Sequence, residues 1–257
     1  DRLGVEAIDF YHIWCIKTPE NFAERKRRGA LEAMLECKAE GLVRHIAVSS
    51  HMSGEDTAAM LDEGVFEGVL LGYCAANFPF RETALDAARR KGLAVVTMNP
   101  LGGGLIPKHP DRFDFIRTRP DEPIVEAALR FNLSQPAVTV VLQGASSVEH
   151  VHEAADAVDR FEPIPRERQE QMRSAIQDSF NELCTSCGYC ADCPEGIPVL
   201  KLMEAFNFLK LEGPKMMRDR LKIHWSIDPL ELIEACSECR QCEDSCTQHL
   251  PILERFE

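Results

Sequence analysis

Two dense groups of cysteines near the C-terminus constrain this chain more than any other feature of its sequence. Eight of the eleven cysteines belong to them: Cys184, Cys187, Cys190 and Cys193 form the first group, and Cys236, Cys239, Cys242 and Cys246 form the second. In each group three cysteines follow one another at two-residue intervals, so one short loop can place three thiolates around one small object. An iron–sulfur cubane needs that geometry, with a fourth ligand from farther along the chain. The spacing therefore predicts [4Fe–4S] clusters.

Disulfides and structural zinc are the alternative interpretations of these cysteines. Disulfide-rich domains are small and secreted, whereas here the cysteines are dense only locally, in a chain that otherwise has the character of a cytosolic enzyme. Zinc sites usually pair two Cys-x-x-Cys segments about 12–20 residues apart. In this chain the third cysteine follows at once and the two groups lie farther apart. Iron–sulfur is favoured, and zinc remains the alternative for the tail.

The two groups also form an internal repeat, because Cys193 and Cys246 each precede a proline at the same offset, Pro198 and Pro251. This pattern resembles two-cluster bacterial ferredoxins, in which the fourth cysteine of each group ligates the other cluster. The resemblance implies one cluster held by Cys184, Cys187, Cys190 and Cys246, and another held by Cys236, Cys239, Cys242 and Cys193. Between the groups, apolar residues at three- and four-residue steps from 199 to 209 predict a helix that packs over the clusters and ends at Gly213.

The first 160 residues alternate between segments typical of strands and of helices. Strands are expected at 7–15, 44–49, 66–73, 93–99 and 137–142, and helices at 18–41, 53–63, 80–91, 122–133 and 147–158. A glycine-rich loop and a long irregular connection follow the fourth strand. Strict alternation with continuous apolar strands predicts a parallel sheet covered by helices. Five such units fit either an open doubly wound sheet or part of an eight-stranded barrel.

Four segments favour the barrel. Residues 7–14, 46–50, 95–104 and 140–147 resemble, in this order, the fourth, fifth, seventh and eighth strands of the aldo/keto reductases with their loops. The tail from Cys184 to Pro194 resembles a subfamily with a C-terminal ferredoxin-type domain. The resemblance covers nearly the whole chain. It implies the last five β/α units of a (β/α)8 barrel, followed by an α-helical ferredoxin-like two-cluster domain.

The expected division of the chain follows from that resemblance. Residues 1–165 would form the C-terminal part of the barrel, 166–183 a connecting helix and 184–257 the cluster domain. The barrel's first three strands are missing from this sequence, and an open five-strand arc would expose two sheet edges. We therefore expect the chain to be an N-terminally truncated fragment.

A nucleotide site is expected where the last strands end. Gly144 to Ser147 lead into a helix, and Ser146 with Glu149 has capping-box spacing. Free N–H groups and the helix dipole suit a phosphate there, although a glycine turn with an ordinary cap would look the same. Seven residues are predicted to bind the cofactor. Ser49 and Ser50 lie where the family contacts the nicotinamide amide. The loops after the fourth and fifth strands supply the other five, Gly102, Gly103, Gly144, Ser146 and Ser147. The cofactor would be NADP or NAD, since no Lys or Arg lies between Gly144 and Val158 to meet a 2′-phosphate.

The catalytic residues stay unknown at this stage. The family uses Asp, Tyr, Lys and His, and the first three would belong to the missing segment. The resemblance puts Trp14 at the position of the His. His12 is expected on the same face of the strand, as a buried core histidine rather than a catalytic group. His51, directly after Ser50, is a second candidate.

Charge and composition limit the kinds of partner that this chain is expected to bind. The net charge of −13 argues against nucleic acid and anionic membranes, and no apolar run approaches the ~20 residues of a spanning helix. We expect a cytoplasmic oxidoreductase that acts on a small molecule and exchanges electrons with a redox partner. Nicotinamide-dependent hydride transfer would be coupled to electron transfer through two [4Fe–4S] clusters. The alternative is a non-catalytic electron-transfer or interaction module on a barrel with a degenerate tetrad, which Trp14 favours.

Overall fold

The computed structural model describes residues 3–176 and 182–256. One parallel sheet organises the N-terminal part, and its strands pair in chain order. The strands are Ile8–Ile16 (β1), Val43–Ser50 (β2), Gly68–Gly72 (β3), Ala94–Met98 (β4) and Val140–Val141 (β5). This order and the intervening helices confirm the α/β fold with five parallel strands that the sequence predicts.

The helices alternate with the strands and continue into the C-terminal part. They are Pro19–Arg27 (α1), Ala30–Ala39 (α2), Gly54–Leu61 (α3), Phe78–Arg90 (α4), Leu105–Lys108 (α5), Ile124–Leu133 (α6), Val148–Asp159 (α7), Arg166–Ala175 (α8), Val199–Glu212 (α9), Pro214–Asp219 (α10), Pro229–Glu234 (α11) and Gln241–Ser245 (α12). In the part of the chain that the structure describes, no helix has the length and apolarity to cross a membrane.

The sheet is buried because its central strands are apolar on both faces. Val48, Val69 and Val95 lie side by side in β2, β3 and β4, and each is at most 1% exposed. Helices cover the sheet, as the continuous apolar strands predict. The edge strand β1 differs, since Phe10, Tyr11 and Trp14 are exposed.

Two helices replace the single one predicted over residues 18–41. The prediction of the start is right: the Thr18 side chain accepts a hydrogen bond from the Asn21 N–H, and Pro19 occupies the first helical position. The helix stops at Arg28 because Gly29 adopts a left-handed conformation with φ of +79°. Glycine takes that conformation without steric cost. The apolar periodicity continues across the break, which is why the sequence pattern does not show it.

Two further boundaries differ from the prediction. The connection after β4 is not irregular, because it contains α5 and two 3₁₀ segments, Gly102–Gly104 and Pro110–Ile116. The strand expected at 137–142 is reduced to the two residues of β5. The connecting helix expected at 166–183 is described as α8, which ends at Ala175, and residues 177–181 lie outside the described residues.

The C-terminal part has a second, smaller core of its own. Ile197, Leu202 and Met203 are buried in it together with Leu250 and Ile252. The helix predicted between the cysteine groups is α9, and it ends where Gly213 and Pro214 follow. One side of α9 also packs toward the sheet domain, because Leu211 belongs to the larger core. The cluster domain is therefore joined to the barrel by packing as well as by the chain.

Candidate functional site

Four cysteines from both sequence groups surround one cavity. Cys184, Cys187, Cys190 and Cys246 line it, and we call them the inner quartet. Leu200 and Met203 of α9 close its side. Cys184 and Cys246 are buried, whereas Cys187 is exposed. The structure thus brings together three cysteines of the first group and the last of the second.

The remaining four cysteines surround a second cavity. Cys193, Cys236, Cys239 and Cys242 line it, and we call them the outer quartet. Val199 at the start of α9 and Phe256 also line this cavity, so α9 lies over both quartets. Among the described residues, no three His, Cys, Asp or Glu side chains converge closely enough for a single metal ion.

Hydrogen bonds hold the inner quartet in place. The Ser186 N–H donates to Cys184 Sγ, and the Leu250 N–H donates to Cys246 Sγ, each at 3.4 Å. The Thr247 hydroxyl lies 3.5 Å from Cys187 Sγ and is buried. Donors to sulfur stabilise thiolates and tune the reduction potential of an iron–sulfur cluster.

Asn207 of α9 fixes the first cysteine of this quartet through the backbone. Its side-chain oxygen accepts from the Cys184 N–H at 2.9 Å, and its side-chain nitrogen donates to the Cys184 carbonyl at 2.7 Å. Asn207 is 2% exposed. One side chain therefore pairs both the N–H and the carbonyl of a buried residue, as a buried backbone requires. Sequence analysis missed this residue because it sits within an apolar stripe.

The protonation of the inner thiols also fits a metal cluster. Burial raises the pKa of Cys184 to about 12 and that of Cys190 to about 11. At such pKa values these thiols are protonated at neutral pH, although the Arg255 guanidinium interacts electrostatically with Cys184. A cationic iron core would stabilise the thiolate that metal ligation requires.

The inner quartet faces the carboxyl ends of the strands, which we call the mouth. A Cβ atom added to Gly103 would lie 1.7 Å from the Thr185 carbonyl oxygen. Only glycine fits there, because the loop after β4 touches the peptide that follows Cys184. The sequence analysis assigns Gly103 to close approach of a pyrophosphate. In the structure the neighbour that excludes a side chain is the cluster domain.

Tyr189 provides a second contact between the quartet and the mouth. It lies between Cys187 and Cys190 in sequence, and its ring meets the His51 ring edge-on at 6.0 Å between centroids. The Lys17 ammonium lies 5.6 Å from the centre of the same ring and donates to the Ser245 carbonyl at 3.3 Å. Residues after β1 and β2 thus hold the cluster loop.

A third set of contacts joins α5 to α9. His109 Nδ1 lies 2.7 Å from a carboxylate oxygen of Glu212, and the Lys108 ammonium lies 2.7 Å from Glu204. The His109 ring also packs on Phe208 at 5.0 Å between centroids. With the loop contacts, these interactions seat the cluster domain on the barrel from both sides of the inner quartet.

The loops after β4 and β5 enclose a cavity of about 560 Å³. Gly103, Gly144 and Ser146 line it, as do His150 and Glu153 of α7. The volume suits part of a dinucleotide, since small-molecule sites typically span about 300–1,000 Å³. Three of the predicted cofactor-binding residues therefore share one cavity, whereas Gly102 is buried beside it. No Lys or Arg is among the described residues that line this cavity.

The cap of α7 is displaced by one residue from the prediction. Ser147, not Ser146, is the capping residue, and its hydroxyl accepts from the His150 N–H at 3.3 Å. The Ser146 hydroxyl instead lies 3.3 Å from His150 Nδ1 and faces the cavity. The capping-box spacing of Ser146 and Glu149 was misleading because two adjacent serines both offer a hydroxyl at the right distance in sequence.

Ser49 and Ser50 lie at the carboxyl end of β2 and are both buried. The Ser50 hydroxyl is 2.7 Å from the Thr57 hydroxyl and accepts from the Met52 N–H at 3.2 Å. That side chain therefore serves the turn into α3. The Ser49 hydroxyl takes part in neither of these two hydrogen bonds.

The predicted catalytic candidates separate in the structure. Ile13 of β1 pairs with Val48 of β2, and the next pair is Ile16 with Ser50. Between these pairs β1 has one residue more than β2, so β1 bulges at Trp14 and Cys15. Trp14 is 60% exposed, and it does not share a buried face with His12 as the sequence analysis expects. His12 is half-buried, and desolvation lowers its pKa.

His51 lies under the cluster loop and is buried. Desolvation, and then the charges of Arg81, Lys17 and His249, lower its pKa to about 4. The imidazole is therefore neutral at physiological pH. Arg81 is itself fully buried, and its three guanidinium nitrogens have no hydrogen-bond partner within residues 3–176 and 182–256. Sequence analysis missed Arg81 because nothing in the pattern of α4 distinguishes it from a surface residue.

Comparisons with known proteins agree with this architecture. The sequence model described as the aldo/keto reductase family matches residues 1–177, and that of the 4Fe-4S dicluster domain matches residues 183–250. An uncharacterized oxidoreductase of Schizosaccharomyces pombe is 27% identical over 161 residues, which are 61% of this chain and 49% of that protein. The chain thus spans about half the length of this curated relative.

Solved structures show the same fold. The holo form of an aldo-keto reductase from Bacillus halodurans has a TM-score of 0.56 and 24% identity, over 68% of this chain and 63% of that one. An aldo-keto reductase from Klebsiella pneumoniae in complex with NADPH has a TM-score of 0.51 and 24% identity, over 68% of this chain and 61% of that one. In both cases the chain covers less than two thirds of the solved structure.

Proposed function

Because this chain belongs to the aldo/keto reductase family and carries a 4Fe-4S dicluster domain, we propose that it is an iron–sulfur oxidoreductase. In this proposal nicotinamide-dependent hydride transfer at the mouth is coupled to electron transfer through two [4Fe–4S] clusters. Because a hydride carries two electrons and each cluster passes one, a flavin or a redox partner protein would accept the pair and pass the electrons singly. The observation that carries it is the close contact between Thr185 and Gly103, which holds the inner quartet against a loop of the nucleotide cavity. Electrons pass faster between two redox sites when the sites lie close together.

The eight clustered cysteines are the proposed cluster ligands. Cys184, Cys187, Cys190 and Cys246 would hold the inner cluster, and Cys193, Cys236, Cys239 and Cys242 the outer one. The two cavities and the donors to sulfur support this assignment. All described cysteines are free of disulfides, which suits the reducing cytoplasm where we place the protein.

The nucleotide would occupy the cavity between the loops after β4 and β5, and Gly144, Ser146 and Ser147 would receive its phosphates. Its nicotinamide supplies a hydride when bound, whereas the clusters supply single electrons. The lining of this cavity favours NAD over NADP. Glu153 offers a carboxylate that can accept from a ribose 2′-hydroxyl but would repel a 2′-phosphate. The neutral His51 under the cluster loop is placed to donate or accept a hydrogen bond without adding charge.

A titration of the full-length protein, prepared anaerobically, tests this function. We expect iron and acid-labile sulfide at about eight atoms each per chain, as two cubanes require, and tighter binding of NADH than of NADPH by calorimetry. Electron paramagnetic resonance of the reduced protein should show two interacting clusters. Binding of neither nucleotide would refute the enzyme as proposed, and metal analysis that finds zinc in place of iron would refute the clusters.

A non-catalytic electron-transfer or interaction module is the second candidate. The bulge at Trp14 favours it, because the family's catalytic histidine is expected at this position and an exposed tryptophan stands there instead. This candidate predicts clusters that are redox-active in a protein without nucleotide binding. The same titration therefore separates the two functions.

A further inference from the structure

A cavity of about 470 Å³ lies beside the mouth, between the end of β1, the first turns of α1 and the cluster domain. We call it the side cavity. Trp14, Cys15, Lys17 and Arg25 line it from the barrel, and Tyr189 and Asp244 line it from the cluster domain. It is separate in its lining from the nucleotide cavity, which is formed by the loops after β4 and β5.

The β1 bulge creates one wall of this cavity. The extra residue turns Trp14 out of the strand, and Cys15 is held at φ of +57°. A non-glycine residue with such a φ is uncommon and is maintained typically at functional sites. Bulges often re-aim side chains next to binding sites. Here the side chain that is re-aimed is an indole that stays 60% exposed.

Two cations converge on the side cavity without a carboxylate partner. Neither Lys17 nor Arg25 forms an ion pair with a described residue, although the chain carries a net charge of −13 and its described residues form fifteen ion pairs between Lys or Arg and a carboxylate. The first turn of α1 carries the positive end of the helix dipole, and Glu20 of the same turn does not line the cavity. The opposing charge is Asp244, which is exposed at the rim. The cavity therefore presents an excess of positive charge in an acidic protein.

The aromatic walls restrict the shape of a ligand. Trp14 and Tyr189 both line the side cavity, and the Lys17 ammonium lies near the Tyr189 ring. Aromatic faces favour flat partners, since offset stacking stabilises a complex beyond the effect of the buried area alone. A flat ligand with one anionic end would satisfy both the rings and the cations.

We propose that the side cavity binds a planar conjugated carboxylate, with Trp14 against the plane of the ligand and Arg25 and Lys17 at its carboxylate. This inference rests on the proposed function, because it names a ligand class for a cavity that adjoins the proposed redox site. The ligand would lie beside Tyr189 and thus next to the loop of the inner quartet. The cluster domain contributes part of the cavity, so a barrel without that domain would lack the complete site.

Calorimetry on the full-length, anaerobically prepared protein tests the inference with cinnamate as the probe. Cinnamamide has the same plane without the charge, and 3-cyclohexylpropionate has the charge without the plane. We expect cinnamate to bind at least about fivefold more tightly than either. Arg25→Met should weaken cinnamate binding about tenfold because a charge-assisted contact is lost, and Trp14→Leu roughly fivefold.

Arg27→Met is the matched control, since Arg27 lies on the same helix, is exposed and is not part of the cavity. It should leave cinnamate binding unchanged. Equal affinity for the three probes, no cinnamate binding, or equal effects of the two arginine substitutions would overturn the inference. Binding of NADH in the same preparation is measured separately. Cinnamate binding without NADH binding would refute the nicotinamide part of the proposed function and leave the side cavity assigned.

Discussion

The amide of Asn207 is the single side chain that ties the first cluster cysteine to α9. Both of its polar atoms bond to the peptide groups of Cys184 in a buried environment. Removing the amide leaves a buried N–H and a buried carbonyl without partners, and each such group costs about 1–3 kcal/mol. The position of Cys184, and not only the stability of α9, therefore depends on this residue.

Asn207→Ala should lower the free energy of unfolding by about 2 kcal/mol or more and reduce the iron content of the purified protein. Thermal unfolding and iron analysis measure the two effects. Lys201→Ala on the exposed side of the same helix is the control, and it should change neither. An Asn207→Ala protein with full iron content and unchanged stability would show that the clamp has no role in cluster assembly.

His51 predicts a dependence of stability on pH. It stays neutral in the folded protein down to about pH 4 because burial lowers its pKa, whereas in the unfolded chain it takes up a proton near pH 6.5. Below pH 6.5 the unfolded state therefore binds more protons, and folding loses up to about 1.4 kcal/mol per pH unit until pH 4. The groups that face it, Arg81, Lys17 and His249, add repulsion of the same sign.

Replacing His51 should flatten that dependence. Between pH 7.5 and pH 5.5 we expect wild type to lose roughly 1 kcal/mol more stability than His51→Gln, measured as the difference between their apparent melting temperatures at each pH. Parallel pH profiles of the two proteins would contradict a neutral buried His51.

At the scale of elements, sequence patterns fix the order of strands and helices better than their ends. Apolar runs and the Thr18-Pro19 start are local signals, and the structure bears out both. The break at Gly29 and the choice of cap before α7 depend on the backbone conformation and on which neighbouring hydroxyl reaches the free N–H. Such differences of one or two residues are smaller than the period of the apolar pattern and are invisible to it.

The two serines before α7 allow a matched test of the cap. Ser147→Ala removes the hydroxyl that accepts from the His150 N–H, and it should cost about 1 kcal/mol of stability. Ser146→Ala should cost close to nothing, because its hydroxyl has no role in the cap. Urea unfolding of both variants decides the question. A larger loss for Ser146→Ala would restore the cap that the sequence predicts.

At the scale of the whole molecule, the cluster domain and the barrel meet through contacts that lie far apart in sequence. The grouping of the eight cysteines was readable from spacing and resemblance, because the signal is local and repeated. The sequence does not predict how the domains meet, since no local pattern encodes a meeting of distant residues. These contacts are those of Thr185 with Gly103, of Tyr189 with His51 and of α9 with the end of α5. The same holds for the side cavity, which takes six lining residues from the barrel and two from the cluster domain.

Substitutions at two adjacent glycines separate the effect of the contact between Gly103 and Thr185 from the effect of backbone conformation. Gly103 and Gly104 both have positive φ, but only at Gly103 would a Cβ meet another atom, the Thr185 oxygen at 1.7 Å. Gly104→Ala should cost about 1–2 kcal/mol for its backbone conformation alone. Gly103→Ala should cost clearly more and should release the cluster domain, seen as faster limited proteolysis of the chain. Equal costs for the two substitutions would show that the contact is dispensable.

The contact at Gly103 also has a consequence for the order of events during synthesis. The loop after β4 leaves the ribosome well before Thr185 does, and domains generally fold in that order. The cluster domain therefore arrives last, at a surface whose shape is already set. We therefore expect that any delay in filling the cysteine cavities leaves the mouth of the barrel uncovered for longer.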